Sequence, residues 1–275
     1  MALPTRGELK PFDMDNLQSI SMPSTTGIRQ LTQFEDGIVS CPEYCQSCLF
    51  WPLGAPDWLP FSSLKQPHIQ GALVVLGLRP VLLGGSSNWP NANSLDSVEM
   101  HNGHDWVDGP PMLHSRRAFG VASISGKGVV VVGGFDSSSN SKLRNVEIIY
   151  ADQMVWHPLA DYPVAIEFTL CGHVRLSHRD HVLCSGGGSS EQYQAYTLDL
   201  SQPNSIWERK RYLDTPEAFM RGYIFQWKRF LYIFPFLGHI PQSWSRYNRV
   251  YKLDLKSDNP NWVNLNLFSS DYGNE

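Results

Sequence analysis

The stretch RRAFGVASISGKGVVVVGGFDSSSNSKLRNVEIIYADQMVWHPL (116–159) decides how this chain folds. It divides into short apolar runs: FGVASI (119–124), VVVVGG (129–134), NVEIIYA (145–151) and MVWHPL (154–159). A Ser-Gly-Lys-Gly turn joins the first two, and the polar loop FDSSSNSKLR (135–144) joins the second and third. The runs are rich in β-branched residues and bounded by turn formers, and none carries helical periodicity, so each reads as a β-strand. They are strands a, b, c and d of one small antiparallel sheet.

The same order of signals recurs on both sides. Strand b reads VLLGG (81–85), HVLCSGGG (181–188) and FLYIFPF (230–236); strand c reads SVEMHN, AYTLDL and RVYKLDL. Strand d carries a tryptophan at 58, 106, 156, 207 and 262, with gaps of 48, 50, 51 and 55 residues. A strand-a glycine sits at 71, 120, 172 and 222. The first repeat is degenerate: GIVSCP (37–42) replaces the glycine pair, CLFWP (48–52) stands for strand c, and Trp58 closes it. A period near 50 residues predicts an all-β propeller of four-stranded antiparallel blades, about five of them with a sixth possible. The propeller is expected over 25–268, between a flexible N-terminal tail (1–24) and a C-terminal tail (269–275). The repeated tryptophan is expected to wedge between neighbouring blades, and Gly84, Gly85, Gly133, Gly134, Gly186 and Gly187 to serve the backbone.

These repeats resemble Kelch repeats, which join a double glycine after strand b to an aromatic in strand c and a tryptophan in strand d. Gly133-Gly134, Glu147, Tyr150 and Trp156 fit that motif, as do Pro111-Met112 and Arg117. Gly84-Gly85, Glu99 and Trp106 match in the second repeat, with His101 in the aromatic position; Gly186 to Gly188, Tyr196 and Trp207 match in the fourth. The fifth keeps Tyr251 and Trp262 but has Pro235-Phe236 in place of the glycines. The resemblance implies a recognition module without catalytic function. Some such propellers recruit substrates to ubiquitin ligases, and others are metal oxidases or sugar-processing enzymes. Fold alone does not choose among these.

Composition narrows the partners. Of the chain's 275 residues 17% are charged, the net charge is −4, and there is no long basic run. Neither nucleic acid nor an anionic membrane is indicated as a partner. The longest apolar run, GALVVLGLRPVLLGG, is broken by Arg79, Pro80 and glycines, and the N-terminus has no leader-like apolar stretch, so a cytoplasmic chain is expected. Five cysteines indicate no disulfide framework. Cys171 and Cys184 flank a hairpin and face one another in one reading; buried free thiols are the other. Cys41, Cys45 and Cys48 have cluster-like spacing but lack the surrounding motif, and no metal or cofactor is expected.

Recognition is expected on one face. Alternating strand directions place the b–c and d–a loops together, and the b–c loops are the longer ones. Trp89, Tyr193, Trp244 and Arg246 on b–c loops supply the aromatic and arginine types that dominate contact energetics. Asp136 and Arg144 join them from the third repeat, and His114, Arg116 and Arg117 from a d–a loop. Several of these arginines read equally well as salt bridges between blades. The expected partner is another protein or a peptide, and an acidic one would suit the arginines.

Overall fold

Short β-branched segments separated by tight turns leave this chain little choice but to pair each strand with its neighbour in sequence. A computed structural model of the chain describes residues 29–88, 93–187, 193–217, 219, 222–235 and 250–265. It is a five-bladed β-propeller. Blade 1 contains β1 (Arg29–Phe34), β2 (Gly37–Pro42), β3 (Ser47–Pro52) and β4 (Leu59–Ser63). Blade 2 contains β5 (Ala72–Leu76), β6 (Arg79–Leu83), β7 (Val98–His101) and β8 (Trp106–Asp108). Blade 3 contains β9 (Gly120–Ile124), β10 (Gly128–Val132), β13 (Val146–Tyr150) and β14 (Trp156–Leu159). Its b–c loop carries a miniature hairpin, β11 (Phe135–Asp136) with β12 (Ser141–Lys142). Blade 4 contains β15 (Leu170–Leu176), β16 (Arg179–Ser185), β17 (Tyr196–Asp199) and β18 (Glu208–Arg209). Blade 5 contains β19 (Gly222–Trp227), β20 (Phe230–Pro235), β21 (Tyr251–Asp254) and β22 (Val263–Asn264). The strands of each blade pair in chain order and antiparallel. The helical content of the described residues is one 3-10 turn, Arg211–Leu213.

The unbroken valine run of β10 follows from its place between two neighbours. Val129 and Val131 join a core shared with blade 2, and Val130 and Val132 join one shared with blade 4. A strand covered on both faces has no solvent side to mark with polar residues. Equivalent cores lie between blades 1 and 2 and between blades 4 and 5.

The periodic tryptophans seal these cores. Trp106, Trp156 and Trp207 are buried, and each indole N–H donates to a carbonyl of the preceding blade: Ser62 at 3.0 Å, Pro110 at 2.9 Å and Ala160 at 2.9 Å. Each such bond adds roughly 1 kcal/mol beyond the burial of the ring. Trp262 packs against the last core at intermediate exposure, and its Nε1 has no acceptor among the described residues. Trp58 lies one residue before β4 and packs on Trp51.

Near the axis, the innermost strands approach closely enough to exclude side chains. A Cβ on Gly172 would lie 2.0 Å from the Ile224 carbonyl oxygen, and one on Gly120 would lie 2.5 Å from Cys171 Sγ. The strand-a glycines are therefore close-approach sites, but they do not share one register. Gly120 opposes Val132, one residue before the glycine pair, while Gly172 opposes Leu183, two residues further along its blade, and Gly71 precedes its strand.

The cysteine expectation is corrected. Cys41–Cys48 and Cys171–Cys184 are disulfides, and Cys45 is an exposed thiol at the tip of the hairpin that the first one closes. Cys171 and Cys184 are directly opposed across β15 and β16. The alternation that faces them toward one another also points both into the core shared with blade 3. The expected N- and C-terminal tails lie outside the described residues.

Candidate functional site

The b–c and d–a loops meet at one end of the ring, and the glycine pairs organise that end. Gly84, Gly133 and Gly186 have φ of 50°, 63° and 76°, and Gly85, Gly134 and Gly187 follow with 90°, 104° and 96°. These angles turn the second glycine's N–H out of its own blade and toward the next. Gly85, Gly134 and Gly187 donate to the carbonyls of Arg116 (2.8 Å), Ile166 (2.7 Å) and Phe219 (2.8 Å). Bonds return from Arg116 N–H to Leu95 O (3.0 Å), Ile166 N–H to Leu143 O (3.0 Å) and Thr215 N–H to Tyr193 O (2.9 Å). Each d–a segment is thus laced to the b–c loop of the blade before it. Side chains extend the lacing: Ser94 Oγ donates to Phe135 O at 3.0 Å and accepts from Ser137 N–H at 3.0 Å. Ser94 N–H also donates to Ser137 Oγ.

Below these loops, strand c buries a glutamate. In blade 2, Glu99 accepts from the Lys65 and Gln66 N–H groups at 2.8 and 3.1 Å. His68 Nε2 lies 3.1 Å from the same carboxylate, and its Nδ1 lies 2.5 Å from Gly84 O. Burial raises the Glu99 pKa, but the His68 and backbone hydrogen bonds outweigh it and hold the group below its ordinary value. In blade 3, Glu147 accepts from Leu113 N–H at 2.6 Å and from the Arg116 guanidinium. Arg116 Nη1 also donates to Gly133 O at 2.7 Å and Asn145 O at 2.9 Å.

Arg116 is thereby corrected from a partner-binding residue to a structural one. Its side chain is 0% exposed and its donors are committed to blade 3. Neighbouring Arg117, half-buried, lays its guanidinium over the Phe135 ring at 5.1 Å. His114 is exposed, with Nδ1 3.5 Å from Glu147. Arg144 is exposed, and its Nε donates to Tyr162 O at 2.9 Å. Tyr193 is exposed, and its carbonyl anchors Thr215.

Asp136 shapes its loop from within. It accepts from the hydroxyls of Ser115, Ser138 and Ser139 and from the N–H groups of Ser138 and Ser139. Partial burial raises its pKa, and these hydrogen bonds more than reverse that, leaving it well below the ordinary carboxylate value. Trp89, Trp244 and Arg246 lie outside the described residues. The structure therefore brings His114, Arg117, Asp136, Arg144 and Tyr193 to one laced loop surface. Ser94 and Ser137 belong to it as well; the serine-rich b–c loops were their signal in the sequence.

At the centre of this surface opens a cavity of about 90 Å³ lined by every blade, with Glu43, Gln70, Ala118, Phe168 and Tyr223 among its walls. Burial and the nearby charge of Glu43 push the Tyr223 hydroxyl up to about 12. Glu43 belongs to the loop after β2 and Tyr223 to β19, so the two stand across the seam between the first and last blades. Among the described residues no group of three or more His, Cys, Asp or Glu side chains is placed to hold a metal ion. No helix there is long and apolar enough to cross a membrane. No family model and no curated protein matches the chain.

Proposed function

We propose that this chain is a Kelch-type propeller that binds a partner protein, without catalysis, through its b–c and d–a loops. The observation that carries the reading is the lacing of consecutive loops across blade boundaries. A loop surface held in one conformation loses little entropy on binding, and rigid display of variable loops is what a recognition scaffold requires. Paired left-handed glycines after β6, β10 and β16, with a blade-to-blade tryptophan in strand d, support the Kelch assignment. The buried ionisable groups Glu99, Glu147 and Arg116 are engaged in holding blades, which favours a structural over a catalytic use for them.

The setting is part of the proposal. The sequence alone sets the expectation of a cytoplasmic location. Two buried disulfides favour folding in an oxidising compartment instead. Affinity capture with the whole chain, beside a His114→Ala/Arg144→Ala/Tyr193→Ala variant, tests the surface. A partner retained by the parent and lost by the variant is expected. Equal recovery of every partner by both chains removes the assignment.

A further inference from the structure

A large cavity lies on the opposite face of the ring, where the a–b turns and c–d connections gather. It measures about 1050 Å³ and runs between blades 4 and 5. Arg175, Lys228, Arg229 and Lys256 line it, with His178 between them, and no acidic side chain is among its walls within the described residues. Acids pair with two of these cations. Asp180 lies 3.4 Å from Arg175 Nε and 3.0 Å from His173 Nε2, and Asp254 lies 2.9 Å from Arg229 Nη2. Lys256 is exposed and makes no ion pair among the described residues. Four cationic side chains thus line one groove in a chain whose net charge is −4.

The groove is the deepest part of a wider pattern. The a–b turns of blades 2, 3, 4 and 5 expose Arg79, Lys127, Arg179 and Lys228-Arg229. The equivalent turn of blade 1 reverses sign, with Glu35 and Asp36. Apolar groups accompany the groove cations: Leu176, Leu255, Phe230 and the exposed ring of Tyr212.

We propose that this groove is a second interaction surface, independent of the laced loops, and that it takes an acidic peptide segment of a partner protein. Cations interleaved with apolar walls match a segment that alternates carboxylates with apolar side chains. The cations are spread over two blades and several turns, whereas a small free anion needs donors converging on one point. A long polyanion would run from the basic turns onto Glu35 and Asp36, and the chain's overall negative charge opposes it.

The test is fluorescence anisotropy with a labelled synthetic peptide of Asp, Glu and Leu, titrated with the full chain at low and at physiological salt. Binding that weakens as salt rises is expected. Arg175→Ala/Lys256→Ala should weaken it roughly tenfold, two exposed charges contributing at the upper end for such groups. Lys256→Glu should weaken it further than Lys256→Ala. Arg144→Ala/Tyr193→Ala, on the other face, should leave it unchanged, so failure here and failure of the loop-surface reading are separable. These side chains are exposed, and an unchanged melting temperature verifies the fold of each variant. The proposal is overturned if the peptide does not bind, if the double variant binds it equally, or if labelled single-stranded DNA binds more tightly than the peptide.

Discussion

Blades 3 and 4 share one backbone plan and are held together by different chemistry. Counting back from the glycine pairs, Arg116 of blade 3 corresponds to Ile166 of blade 4, and Glu147 to Tyr196. The buried ion pair of one blade is thus an apolar and aromatic pair in the next. The cross-strand position Val121–Val131 of blade 3 corresponds to the disulfide Cys171–Cys184 of blade 4. The plan constrains geometry, through the glycine turns, the tryptophan and the strand register. It leaves open whether charge, sulfur or hydrocarbon joins the strands, provided no buried polar group is left without a partner.

The sharpest way to break this comparison is to strand a charge. Glu147→Ala leaves the Arg116 guanidinium buried without its counter-ion and should destabilise the chain by about 3–5 kcal/mol in chemical denaturation. The paired change Arg116→Ile/Glu147→Tyr, which copies blade 4 into blade 3, should cost far less than the single change. If it costs as much, the two blades are not interchangeable at this position.

Next in size is the disulfide. Cys171→Ala/Cys184→Ala should lower stability by about 3 kcal/mol, the usual range for closing a loop of this length. Cys171→Val/Cys184→Val, which copies blade 3 into blade 4, should recover part of that loss by refilling the core. A reducing agent should affect the parent chain and neither variant at this site.

The smallest effect concerns the loop of blade 3 that blade 4 does not match. Asp136 has a folded pKa below its unfolded value, so its contribution is fully present above the ordinary carboxylate pKa of about 4 and fades as pH falls through the folded value. The contribution is local, about 1 kcal/mol or less at this partly exposed group. Amide protection of 135–142, measured relative to the intrinsic exchange rate at each pH, should fall in acid before that of the blade cores. An Asp136→Asn chain should exchange faster at neutral pH and show less of this acid dependence.

Much of the architecture could be read from residues alone because it depends on spacing. A tryptophan near every fiftieth position and glycine pairs after apolar runs are linear signals, and the structure places them where the spacing implies. Burial at a loop is not a linear signal. Arg116 and Arg117 are adjacent and identical in kind, yet the turn sends the first into the blade and leaves the second half-exposed over Phe135. The glycines of strand a look periodic, but their registers differ, because what each avoids is a particular neighbour rather than a shared turn. The basic groove was visible only as single cations in short turns, Gly-Leu-Arg, Ser-Gly-Lys, Ser-His-Arg-Asp and Trp-Lys-Arg. Their short length made them look unimportant. Their common charge matters only once the ring gathers them on one face.

No sheet among the described residues borrows a strand from a distant part of the chain. Each leaf can therefore finish its hydrogen bonding as soon as its own segment has left the ribosome, and then offer a finished apolar wall to the one that follows. Construction proceeds like a hand of cards being fanned, and the last act is to bring the outer cards together around the axis. That final meeting, where Tyr223 comes to face Glu43, joins the two blades of the ring made furthest apart in time.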